Sequence, residues 1–156
     1  MKKRNPSETA KLSKRSGASF EREIAHLLHD ELGIKFQRNL EQTQTKGLSD
    51  LTPDDKSFPF VIECKIRGKD DFGVHTFTHW WNQAHNAASL ENYILPSVIY
   101  RIKGQKRINT KAIVPYSSIV WGELGTPSEN NTDWCQITFE RFCKLCREIM
   151  AWKAET

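Results

Sequence analysis

Apolar positions first recur at helical spacing at Phe20, Ile24, Leu27, Leu28 and Leu32, which predicts a helix over roughly 18–32. Ser16 or Ser19 is placed to cap its start, and Gly33 to close its end. Residues 35–39 read as a short strand, 40–46 as a polar loop and 47–51 as a second strand. Thr52-Pro53-Asp54-Asp55-Lys56 carries turn chemistry. The run from 58 to 66 is the most strand-like in the chain. A second helix is expected over 75–90, with Phe77, Trp81, Ala84 and Ala88 on one stripe. Residues 97–102 read as a buried strand, 103–106 as a hairpin turn and 107–114 as the returning strand. The polar stretch 122–133 reads as a surface loop. A last helix over 138–153 carries Phe139, Phe142, Cys143, Cys146, Ile149 and Met150 on its apolar side. The order is α-β-β-β-α-β-β-α, an α/β (α+β) class in which a mixed central sheet is flanked by helices on both sides.

Charge adds an asymmetry to this picture. Lys and Arg number 23 against 19 acids, for a net charge of +4. Residues 1–16 hold Lys2, Lys3, Arg4, Lys11, Lys14 and Arg15 against Glu8 alone. This favours polyanions. The expectation is a flexible basic arm over 1–16, with Lys14 and Arg15 as candidate DNA contacts, ahead of one domain over 17–156. No stretch of ~18 residues is apolar enough to span a membrane. The basic start lacks a following apolar segment, so no signal peptide is expected and the chain is placed in the cytoplasm.

The candidate chemistry lies in Glu63-Cys64-Lys65, at the end of the apolar run Phe58-Pro59-Phe60-Val61-Ile62. An acid and a lysine two apart on a strand point to one face. Asp50 lies upstream in Gly47-Leu48-Ser49-Asp50-Leu51, and a strand partnering 58–66 through the turn brings it beside Glu63. Magnesium takes oxygen ligands and keeps several waters. Asp50, Glu63 and the backbone carbonyl of Cys64 could supply such a site, with manganese as a substitute. Lys65 has two possible roles, orienting a water or stabilising charge on phosphorus oxygens. Asp54 is the rival for Asp50, but turn acids usually face solvent. Stepping about 100° per residue, Glu21 lies roughly 60° from the apolar centre of the first helix and Glu23 roughly 100° on the other side. Both are flanking positions, and Glu21 is the better placed to look inward.

Three segments appear in one order: Gly17-Ala18-Ser19-Phe20-Glu21-Arg22-Glu23, Gly47-Leu48-Ser49-Asp50-Leu51 and Val61-Ile62-Glu63-Cys64-Lys65. They resemble the PD-(D/E)XK nuclease superfamily and, more closely, the archaeal-type and phage-type Holliday junction resolvases. The resemblance covers about residues 17–115 and implies a restriction-endonuclease-like fold. It implies Glu21 as an active-site acid that could also join the metal, Asp50 and Glu63 as metal ligands and Lys65 as the catalytic lysine. It implies Arg22 and Arg38 near DNA phosphates. Ser49 stands where the motif has its proline. Trp80-Trp81-Asn82-Gln83-Ala84 resembles the helix that follows the lysine in phage-type members, from which Gln83 could reach the site, whereas Trp80 and Trp81 read as core or dimer packing.

Other constellations carry less. Cys143-Lys144-Leu145-Cys146 lacks a second ligand pair for zinc and falls on an apolar stripe, so it reads as core. His75, His79 and His85 lack a zinc-protease pattern and read as solvated helix histidines. Lys103, Lys106, Arg107 and Lys111 line the hairpin and could track phosphates, or guard an edge.

The expected function is a magnesium-dependent endodeoxyribonuclease acting on four-way DNA junctions as a homodimer, since two matched nicks need two sites. A nuclease of duplex DNA and a catalytically silent DNA-binding module are the alternatives.

Overall fold

The computed structural model describes residues 5–40, 47–91, 95–119 and 133–156. Most of the loops expected over 40–46 and 122–133 lie outside the described residues.

Helix α1 runs Pro6–Leu32 and so begins well before the expected residue 18. Its cap is Asn5, whose side chain accepts from the Ser7 N–H, rather than Ser16 or Ser19. Pro6 follows with its φ already helical, and Glu8 sits in the positive first turn. Residues 6–16 of the expected flexible arm are therefore helical. They are almost wholly exposed, so packing does not hold them. Extending an already packed helix avoids the nucleation cost, and Ala10, Lys11, Leu12, Lys14 and Arg15 are good helix formers. The anchor is the second half, where Phe20, Ile24 and Leu28 are buried. Each contributes about 1.5–3 kcal/mol. Gly33 ends the helix in the left-handed region at φ 71°, which glycine enters without Cβ strain.

Strands β1 (Phe36–Arg38) and β2 (Leu51–Pro53) pair antiparallel, Phe36 opposite Pro53 and Arg38 opposite Leu51. Proline is tolerated there because the ribbon is only two strands wide. A four-stranded sheet follows in the order β3 (Glu63–Arg67), β4 (Val98–Ile102), β5 (Lys111–Pro115), β6 (Trp134–Thr138). The β3–β4 pair is parallel, with helix α2 (Val74–Leu90) between the two strands in sequence; the other pairs are antiparallel. Helix α3 (Phe139–Glu155) closes the chain, with Thr138 capping Arg141.

Four expectations change. The second strand, expected over 47–51, is Leu51–Pro53, so it falls partly on residues expected to turn. Regular pairing begins at Glu63 rather than 58, the preceding apolar residues meeting neighbours only through single bridges, Leu51 to Ile62 and Phe60 to Leu95. Residues Arg107–Asn109 form a 3-10 turn, so the returning strand starts at Lys111. Strand β6 adds an element, making the order of the strands and long helices among the described residues α-β-β-β-α-β-β-β-α.

Alternation along the strands divides two cores. Cys64, Ile66, Ile99, Ala112 and Val114 face α1 and α3, meeting Phe20, Ile24, Phe142, Leu145 and Ile149. Val98, Tyr100 and Ile113 face α2, meeting Trp80, Trp81 and Ala84. The mixed sheet thus has helices on both faces, consistent with a restriction-endonuclease-like fold. Among the described residues no helix is long and apolar enough to cross a membrane.

Candidate active site

Glu63 and Lys65 leave β3 on the face of their register partners Val98 and Tyr100. The Lys65 ammonium lies 3.7 Å from Glu63 Oε2, and both side chains are largely buried. Asp50 comes from the segment before β2. Its N–H donates to the Ile62 carbonyl at 3.0 Å, and its carboxylate Oδ2 accepts from the Cys64 N–H at 2.7 Å. The two acids are 9% and 6% exposed, so neither is a solvated surface charge. In extended backbone the N–H and C=O of one residue face the same edge. The Cys64 carbonyl therefore faces the edge where Asp50 sits.

Burial pushes the Glu63 carboxyl up to about 8, the Asp50 charge and hydrogen bonding to Asp50 add to the rise, and Lys65 opposes it. Glu21 reaches the same neighbourhood from α1. Burial raises its carboxyl, the hydrogen bond from Arg38 Nε at 2.6 Å opposes that, and the Asp50 charge raises it again. The Cys64 thiol is held well above its ordinary range by burial and by these three acids, which makes it a poor nucleophile.

Crowded carboxylates with one lysine fit a hard divalent cation. Magnesium uses one or two carboxylates and fills its remaining positions with water and substrate oxygens. Among the described residues no group of three or more His, Cys, Asp or Glu side chains is arranged to hold a metal ion. Asp50, Glu63 and the Cys64 carbonyl are oxygen donors of the kind such a cation could use.

The structure separates the rivals. Asp54 is exposed and accepts from the Lys35 N–H across the β1–β2 ribbon, away from Glu63. Glu23 turns to Arg101, whose Nη1 lies 3.1 Å from Glu23 Oε2, and to Arg107 at 2.7 Å. It thus neutralises a buried arginine, while Glu21 looks toward Asp50.

The remaining candidates are dispersed. Arg38, expected near DNA phosphates, pairs with Glu21, the acid that the resemblance implies for the active site. Arg22 lines a surface groove with His26, His29, Lys35 and Arg38 between α1 and β1. Lys14 and Arg15 are exposed on α1. Gln83 is half-buried, and its Oε1 is sealed from solvent with no hydrogen-bond partner among the described residues. Trp80 and Trp81 pack in the α2 core. His75 and His79 are exposed, and His85 meets the Trp81 ring edge-on. Lys103, Lys106, Arg107 and Lys111 are exposed on the hairpin. Cys143 and Cys146 are buried free thiols.

Two charged residues that bear on this neighbourhood lie outside the sequence motifs. Arg101 interrupts the apolar strand Val98–Ile102, and a buried arginine requires a carboxylate. That interruption was the signal available. Glu91, just after α2, accepts from Ser49. Nothing in the sequence pointed to it.

Comparison with known proteins bears on the arrangement as a whole. The model of a family described as "phage putative PDDEXK endonuclease" matches residues 12–153. No curated protein and no solved structure matches the chain. The matched span takes in Glu21, Asp50, Glu63 and Lys65 and every strand and helix of the fold, apart from the two ends of the terminal helices. The chain belongs to this phage PD-(D/E)XK endonuclease family.

Proposed function

We propose that the protein hydrolyses phosphodiester bonds of DNA with magnesium, that its substrate is branched DNA such as a four-way junction, and that it works as a homodimer. The observation that carries the hydrolytic reading is the buried Asp50–Glu63 pair with Lys65 beside Glu63. Membership of an endonuclease family supports it.

Asp50, Glu63 and the Cys64 carbonyl would hold the cation, and Glu21 could join through a water. A cation bound there would polarise the scissile phosphate and lower the pKa of a bound water. Lys65 would donate to the phosphate oxygens as charge develops, or hold the attacking water in line. Glu63, whose Oε2 lies 3.7 Å away, would draw the ammonium toward the site. The Glu21–Arg38 pair places a guanidinium at the rim, where a phosphate could share it. No covalent enzyme intermediate is needed.

Support for branched DNA comes from the α1 pattern Gly17-Ala18-Ser19-Phe20-Glu21-Arg22-Glu23, which delivers Glu21 close enough to feel the Asp50 charge. Resolution of a junction needs two nicks, which a twofold dimer would supply. The test offers the full-length protein a synthetic four-way junction and a linear duplex of the same sequence, with and without magnesium. Paired nicks near the branch are expected. Equal cutting of both DNAs would replace the junction reading with a duplex nuclease, and binding without cutting would overturn the hydrolytic reading.

A further inference from the structure

Ser49 is fully buried, at 0% exposure. Its N–H donates to Glu91 Oε1 at 2.6 Å, and its hydroxyl lies 2.6 and 2.9 Å from the two oxygens of the same carboxylate. The hydroxyl also lies 3.2 Å from the Leu51 carbonyl. These contacts join residues 42 apart in sequence, one beside Asp50 and the other at the C-terminal cap of α2.

Glu91 is badly placed for any purely local purpose. A carboxylate at a helix C-terminus meets the negative end of the dipole. Its charge also adds to that already crowding Glu63. Its contacts to Ser49 are what offset these costs.

The identity of residue 49 makes these contacts both possible and necessary. A proline there would fix φ near −65° and carry no N–H. Serine leaves φ free, and its buried N–H needs an acceptor. We propose that Glu91 is a positioning residue, which clamps the backbone at Ser49 and so aims the Asp50 carboxylate, doing by hydrogen bonds what the motif proline does by its ring. This rests on Asp50 being a metal ligand.

The proposal is tested on the full-length protein by calorimetric titration of magnesium without DNA, alongside kcat and KM on the cleaved DNA. Glu91→Ala is expected to weaken magnesium binding about tenfold, the range for groups that orient ligands. It should lower kcat while leaving KM for DNA unchanged. Glu91→Gln keeps an acceptor for the Ser49 N–H and should recover most of the loss. Adding Ser49→Pro to Glu91→Ala should also restore magnesium affinity, because the orphaned N–H disappears and the ring fixes φ. If Glu91→Ala does not fold, Ser49→Ala gives the same readout, with a smaller loss in the same direction. Wild-type magnesium affinity in Glu91→Ala, or in Ser49→Ala where that variant stands in, would overturn the clamp, as would a Glu91→Gln variant no better than Glu91→Ala. Asp50→Asn separates the two ideas. If it abolishes magnesium binding while Glu91→Ala does not, only the clamp fails; if it leaves binding intact, the metal reading fails and the clamp with it.

Discussion

The carboxylate of Asp50 accepts a hydrogen bond from the backbone N–H of Cys64 at 2.7 Å. One short contact thus ties the segment before β2 to the strand that carries Glu63 and Lys65. It sets Asp50, rather than Asp54, beside that strand. Asp50→Asn and Glu63→Gln should abolish DNA cleavage while largely keeping DNA binding, measured by gel shift in calcium. Asp54→Asn should cut at the wild-type rate, because the exposed Asp54 side chain accepts from the Lys35 N–H at the surface. Lys65→Ala should lose about 10²–10³-fold in kcat, the usual cost of removing one transition-state donor. An inactive Asp54→Asn beside an active Asp50→Asn would reverse the assignment.

The Glu63 carboxyl gives the metal-free protein a pH-dependent stability. It loses its proton near 4.5 in the unfolded chain and near 8 when folded. Between those values the folded state holds a proton that the unfolded state has released. The contribution is therefore full below about 4.5 and is lost as pH rises through about 8, by at most about 1.4 kcal/mol per pH unit. Urea denaturation in chelator from pH 5 to 8 should show this decline. Glu63→Gln should flatten it and be more stable than the parent at pH 8. Magnesium should raise the parent's Tm more at pH 8 than at pH 5, since it binds the ionised pair. A parent whose stability rises with pH over this range would contradict the burial of this pair.

Glu21 and Glu23 sit two residues apart, yet they should behave oppositely. Arg101 is 6% exposed and depends on Glu23. Glu23→Gln should cost roughly 2–4 kcal/mol, at or below the range for a broken buried pair because Glu23 is partly exposed. Cleavage per folded molecule should survive. Glu21→Gln should largely spare stability, since burial already works against the charge on that carboxyl, and should impair cleavage. Denaturation midpoints read beside single-turnover rates would show a swapped pattern if the roles were reversed.

Cys143 and Cys146 are packed against the α1 face of the sheet, and burial pushes the Cys143 thiol up to about 12. Neither should react with iodoacetamide in the native protein over hours, and both should react in urea. Chelators should leave Tm unchanged when no magnesium was added. Rapid native labelling, or chelator-induced unfolding, would restore a redox or zinc role to this pair.

What the sequence made legible was whatever periodicity and paired chemistry could carry. The α2 stripe and the α3 stripe predicted both helices to within a few residues. Asp50 is set beside the strand that carries Glu63 by the single bridge from Leu51 to Ile62, not by the expected strand over 47–51. The first half of α1 was not legible, because it buries nothing and is held by the Asn5 cap and propensity rather than by an apolar face. Strand β6 was missed because it is an outer strand of intermediate and exposed residues following a long polar stretch. Arg101 and Glu91 act through partners 78 and 42 residues away, and no local pattern encodes such pairings.

The central claim is that Asp50 and Glu63 form a magnesium-dependent cleavage site. Its most direct test is the cutting of a labelled four-way junction by wild-type protein and by Asp50→Asn, each with magnesium and with chelator. Product should appear only for wild type with magnesium, as two symmetric nicks near the branch. Cutting by wild type in chelator, or undiminished cutting by Asp50→Asn, would contradict it.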